Sequence, residues 1–305
     1  MGLYCILSSM LNALLSLVFG CFVISRNFRN PKYLTYFLFS QSIAIWSLFY
    51  FLLLTAPTAE SALLYSRLSM VGFIFIPVFY LHYILSLLNL QSAKRGFLYL
   101  SYLFGFASLA AGATAALVSG ISSVMMFRFW PEPGVLYSPF VFLWLLMFAY
   151  TVWLIYQNLY PSDEVAKKQM KYIFAGTLLG CIGVSTNFFL WYRIPIPPVT
   201  HILFSAYVAV TAYAMIRYRL MNIPVIVRRT VVFAGLFAFV FGIFSFGLFV
   251  AQEALAAHFR FKWELAVGMS IFLIAFSYEP VRALLIGVTD RYLFQKKYDY
   301  QRFLK

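Results

Sequence analysis

Polar side chains set inside long apolar runs are where this chain could do chemistry. Gln41, Trp46, Arg67, Asn187, Trp191 and His201 stand out. Amide and ionisable groups are costly in hydrocarbon, so in a bilayer they face a bundle interior, a cavity or one another. Facing inward together, these six form a pocket in the outer half of a bundle. Arg67 would hold an anionic or carbonyl group there, and aromatic rings would line the rest. Each also fits a plainer role. Arg67 suits a side chain snorkelling to headgroups, and Trp46 and Trp191 suit an aromatic belt. His82 has no acidic or cysteine companion at ligand spacing, so it reads as a hydrogen-bonded interior histidine rather than a metal ligand or proton sensor.

Catalysis finds no comparable support. The scattered serines and histidines show no nucleophile–base spacing. Cys5, Cys21 and Cys181 sit in apolar runs without metal-ligand spacing, and read as small core hydrophobes. The late run 201–216 lacks a lysine that could carry a retinal Schiff base. The expectation is no catalytic residue, no metal and no cofactor.

The elements that must position the polar set are membrane spans. The chain is 63% hydrophobic, 21% aromatic and only 10% charged, a balance foreign to soluble domains. Its net charge of +14 is therefore no sign of nucleic-acid binding; flanking Lys and Arg set topology and touch anionic lipid. Apolar runs predict an all-α bundle of nine spans, at 3–24, 33–54, 63–88, 97–118, 140–160, 172–192, 201–216, 230–252 and 263–278. Eighteen of the 23 Lys and Arg residues fall on one side of these spans, which predicts an outer N-terminus and a cytoplasmic C-terminus. The N-terminus lacks the basic segment of a signal peptide.

Loops are short. The longest outer one, 119–139, carries Phe127, Phe129 and Trp130 before Pro131-Glu-Pro-Gly, which reads as a turn with aromatics at headgroup level; it also fits a lid over an outer pocket. Gly176, Gly180 and Gly183 allow a neighbouring helix to approach, and Pro77 predicts a kink. A basic linker, 218–229, separates a seven-helix block, 1–217, from a two-helix extension, 230–278. The end, 279–305, is an amphipathic helix opened by Pro280, and Glu279 with Arg282 has the spacing of an ion pair.

Two stretches carry a resemblance. The linker YRLMNIPVIVRRTVVF at 218–233, and the closing segment with Pro280, Asp290, Arg291, Phe294 and the basic Tyr-Asp-Tyr run at 296–300, resemble the N-terminal seven-transmembrane sensor region of bacterial sensor histidine kinases and its junction to the kinase core. The resemblance implies a signal-sensing module of a two-component system in the bacterial inner membrane, and a homodimer. It implies output through Glu279, Pro280, Arg282, Asp290 and Arg291 to a cytoplasmic kinase core. Such a core needs a cytoplasmic phosphoacceptor histidine and an ATP-binding domain. His82 lies in a span, and His201 and His258 fall on the outer side, so these 305 residues are expected not to be an enzyme; the core would act in cis beyond Lys305 or in trans. The alternative is a transporter or a lipid- or small-molecule-binding membrane protein without a phosphosignalling role.

Overall fold

The computed structural model describes residues 2–25, 27–161, 164–198 and 200, together with Leu203, Phe204, Tyr207, Thr211, Ala275, Phe276, Glu279, Pro280 and Ala283. The chain divides into two compact units, Met1–Met221 and Asn222–Lys305. In the first, helices α1 (Gly2–Ile24), α2 (Pro31–Leu54), α3 (Ala59–Leu87) and α4 (Arg95–Gly112) precede a hairpin of β1 (Val118–Val124) and β2 (Phe127–Pro133). Helices α5 (Tyr137–Gln157), α6 (Glu164–Ser185) and α7 (Asn187–Trp191) follow.

Helix boundaries follow local chemistry. Asn30 caps α2, its Oδ1 accepting from the Lys32 N–H at 3.0 Å, and Pro31 occupies the first turn, where a missing N–H costs nothing. Thr58 and Ser61 close a reciprocal capping box on α3. The far end of α3 stops where Asn89 turns left-handed (φ 58°) and the Leu90 N–H reaches back to the Leu85 carbonyl at 2.8 Å.

Five of these helical segments are long and apolar enough to cross a bilayer: Tyr4–Ile24, Pro31–Leu54, Ala59–Leu87, Tyr137–Gln157 and Ala166–Trp191. The fourth predicted span ends early. Its helix stops at Gly112, and Val118 already belongs to β1. The hairpin also departs from an all-α bundle. Pro131, Glu132 and Pro133, read with Gly134 as a turn, are instead strand, with Ser122 opposite Trp130 and Ile121 opposite Pro131. Proline is tolerated there because each strand of a two-stranded sheet keeps an unpaired edge. The sixth predicted span begins earlier than expected, at Glu164, and breaks at Thr186.

Packing departs from that of a soluble bundle: small polar residues join the apolar core, and large apolar side chains also face outward. Ser8, Ser9, Asn12, Ser16, Ser40, Ser42 and Ser47 are buried, whereas Leu17, Leu48, Leu103, Phe106 and Phe142 are exposed. Small hydroxyl residues let helices approach and bond without a hydrophobic driving force; the Ser40 hydroxyl donates to the Ser16 carbonyl at 2.7 Å. Helix α2 packs most extensively on α3 and α1. At Gly72 the α2–α3 approach is so close that a Cβ would lie 2.5 Å from the Trp46 nitrogen. Gly183 plays a similar part against Phe204, where an added Cβ would lie 3.0 Å from the backbone nitrogen, while Gly180 faces the Tyr207 ring at ordinary contact. Cys21 points outward rather than into the core; Cys5 is buried.

Pro77 lies within a continuous α3. Proline has no N–H for the carbonyl four residues back, here that of Phe73. The indole N–H of Trp144, from α5, supplies the missing donor to that oxygen at 2.9 Å.

A neutral aromatic pocket beneath the hairpin

The pocket forms where the hairpin meets four helices. Trp46, Tyr50 and Leu53 come from α2, Ser69, Met70 and Phe73 from α3, and Trp130 and Pro131 from β2. Tyr137 of α5 and Asn187, Phe188 and Trp191 of α7 complete it. The enclosed space is about 30 Å³; with the open mouth and the gaps between lining atoms included it is about 420 Å³.

Periodicity explains the α2 wall. Trp46 and Tyr50 are four residues apart, so both project from one face of the helix, and their rings stand 6.1 Å apart. Gly72 brings α3 against the backbone of Trp46, which places Phe73 5.9 Å from the Trp46 ring. The break at Thr186 starts α7 at Asn187. Beside that break, the Thr200 hydroxyl donates to the Gly183 carbonyl at 3.1 Å and lies 2.7 Å from the Thr186 hydroxyl. The far wall is a stack of Tyr137 on Trp191, with centroids 4.1 Å apart and planes 13° apart.

The hairpin brings Trp130 edge-on to Tyr50, at 6.0 Å and 88°. Two contacts hold it in place. An Arg67 guanidinium nitrogen lies 3.4 Å from the Val118 carbonyl at the start of β1, and Glu132 of β2 forms a 2.9 Å ion pair with Arg193 just past α7. Arg193 sits at a left-handed φ of 58°, where the chain turns out of α7.

The polar set is thus divided. Trp46, Asn187 and Trp191 line one pocket. Arg67 does not; it is half-buried against the hairpin, with no partner for its Nε among the described residues. Gln41 lies between α1 and α2, beside Gly20. His201 falls outside the described residues, as do Arg282, Asp290 and Arg291. Glu279 and Pro280 are helical and exposed. His82 is held in a network: Nδ1 lies 2.8 Å from the Tyr102 hydroxyl, and Nε2 lies 3.1 Å from the Gln91 amide nitrogen, which also donates to Ser86 at 2.6 Å. Tyr50, Phe73, Trp130 and Tyr137 were missed as pocket residues. Tyr50 carried a signal, its i+4 relation to Trp46; Trp130 lay in the loop that also fitted a lid, but which of its rings meets the pocket depends on the hairpin register.

Among the described residues no Asp, Glu, Lys, Arg or His lines the pocket. It can accept aromatic or aliphatic surface and a few hydrogen bonds, and it offers no nucleophile–base pair. Among the described residues no cluster of His, Cys, Asp or Glu could hold a metal ion.

Apolar helices joined through serines, with a neutral pocket at one end, define a helical membrane protein. Residues 8–224, more than half of the 305, match the family described as the N-terminal 7TM region of histidine kinase, and the chain belongs to that family. No curated protein and no solved structure matches it. The family places the chain among membrane sensor regions, and its matched segment is the sensor part of such kinases rather than a catalytic one.

Proposed function

We propose that the chain receives a cue in the pocket beneath the hairpin and passes it to a histidine-kinase core in the cytoplasm. The observation that carries this reading is the meeting of Trp46, Asn187 and Trp191 with Trp130 in one cavity whose described lining is uncharged, inside a sensor-family bundle. The excess of Lys and Arg on one side of the predicted spans supports an outer position for the hairpin, a cytoplasmic C-terminus and a bacterial inner-membrane location. A route inward is also present. Phe73 of the pocket stacks on Trp144 at 4.9 Å and 13°, Trp144 on Phe148 at 5.5 Å and 3°, and Phe148 on Tyr80 at 5.5 Å and 18°. Tyr80 in turn hydrogen-bonds Thr177 of α6. Repacking at the pocket would displace this column, and the extension 230–278 would pass the change to Glu279, Pro280, Arg282, Asp290 and Arg291. The acting form is a homodimer, with the kinase core in cis or in trans.

The test is autophosphorylation of a histidine-kinase core joined after Lys305, measured in membrane vesicles. Trp46→Ala and Pro280→Ala should each change it by at least about fivefold at equal membrane levels, the lower end of ordinary allosteric coupling. Output unmoved by both would count against a sensory role for this bundle.

A further inference from the structure

Two hydrogen-bond donors of the pocket are unmatched. The Nε1–H of Trp130 and the Nδ2 amide of Asn187 have no acceptor among the described residues, although the two side chains are only 1% and 7% exposed. Asn187 is oriented by its other end, where Oδ1 accepts from the Tyr50 hydroxyl at 3.3 Å, leaving the NH₂ as its unpaired group. Ser69, also in the lining, is already committed: its hydroxyl donates to the Ser66 carbonyl at 2.7 Å. Buried donors without acceptors are costly, and water entering a polar recess can meet them until something better arrives.

The charge of the occupant follows from the same lining. An anion would shed its hydration with no Lys, Arg or His among the described lining residues to replace it. An aromatic box suits a quaternary ammonium in general, but two lining residues here carry buried N–H donors without acceptors among the described residues, which favours an acceptor over a cation. We infer that the pocket takes an uncharged ligand with an apolar body and a carbonyl-type oxygen, whose acceptor is met by Trp130 Nε1–H and Asn187 Nδ2–H. This rests on the reading that the pocket is the sensory site, and names the chemistry that site would recognise.

The whole chain in lipid nanodiscs tests it by saturation-transfer NMR, with empty nanodiscs subtracted. The probes are benzylacetone and ethyl benzoate as carbonyl ligands, butylbenzene as the hydrocarbon, hydrocinnamate as the anion and phenyltrimethylammonium as the cation. The carbonyl probes should bind saturably and about tenfold more tightly than butylbenzene, the worth of one good hydrogen bond in a buried site. Trp130→Phe, which keeps a ring but loses the N–H, and Asn187→Leu should each erase most of that advantage. Butylbenzene binding should persist in both, which also shows that the pocket is still folded. Equal binding of ketone and hydrocarbon, preference for either ion, variants without effect, or no saturable binding of the carbonyl probes would each overturn the inference. Kinase output that responds to Trp46→Ala while no carbonyl probe binds would leave the sensor reading standing and remove only this one; saturable ketone binding with unresponsive output would do the reverse.

Discussion

Trp144 shows how one side chain repairs a defect that the sequence introduces elsewhere. Pro77 leaves the Phe73 carbonyl without its helical donor, deep in a bundle where water cannot reach it, and the Trp144 indole fills the gap at 2.9 Å. Trp144→Phe should therefore destabilise the protein by about 1–3 kcal/mol, the cost of stranding a buried acceptor. Pro77→Ala restores an N–H four residues after Phe73, so in that background the loss should shrink. Denaturation of all four proteins in detergent gives the coupling directly, and equal losses in both backgrounds would sink the explanation. Pro77 could be read from the sequence as a break in the ladder; which side chain answers it could not, because Phe73 and Trp144 are far apart in the chain and meet only through the α3–α5 contact. Arg67 teaches the same lesson from the other direction. An arginine near a helix end was legible as significant, yet its placement against Val118 depends on a hairpin that hydropathy does not reveal.

At the scale of elements, the α2–α3 pair and the hairpin set the site. Close approach at Gly72 holds Trp46 and Phe73 on facing walls of the pocket. Gly72→Ala should cost about 2 kcal/mol or more: a Cβ 2.5 Å from the Trp46 nitrogen forces backbone apart, and the roughly 1 kcal/mol gained in helix propensity is too small to offset it. Gly112→Ala is the control, since its Cβ would rest 3.5 Å from Leu117 in ordinary contact. That variant should be neutral or slightly stabilising in the same unfolding assay; a penalty as large as at Gly72 would mean that close approach is not the cause. The helices were largely readable because long apolar runs have few alternatives in a bilayer. The hairpin was not. Its aromatic and proline residues satisfy turn and headgroup rules equally well, and what supports the strands is their packing against α2 and α3, which local composition does not show.

For the whole molecule, the prediction concerns topology. Helix α4 spans 18 residues, about 27 Å at the helical rise, and separates the α3–α4 connection from the hairpin. With Cys5, Cys21 and Cys181 replaced by alanine, Ser123→Cys in the hairpin should react with a membrane-impermeant maleimide in intact spheroplasts. Ser92→Cys should react only after permeabilisation. The opposite pattern would invert the proposed orientation, and with it the outer position of the pocket.

The sequence by itself determined that this is a membrane protein of apolar helices, and its linker and closing segment pointed to the sensor regions of histidine kinases, the family that residues 8–224 match. Those features live in local composition and in short motifs, which need no partner to be read. Only the tertiary structure decided which polar residues share a space. It joined Trp46, Asn187 and Trp191 to Tyr50 and Trp130, and set Gln41 and Arg67 apart. The physical reason is that a helix apolar on every side gives no signal of which face looks inward. Burial of serines, the approach at Gly72 and the packing of the hairpin on α2 and α3 make that choice, and each is a relation between residues distant in the chain.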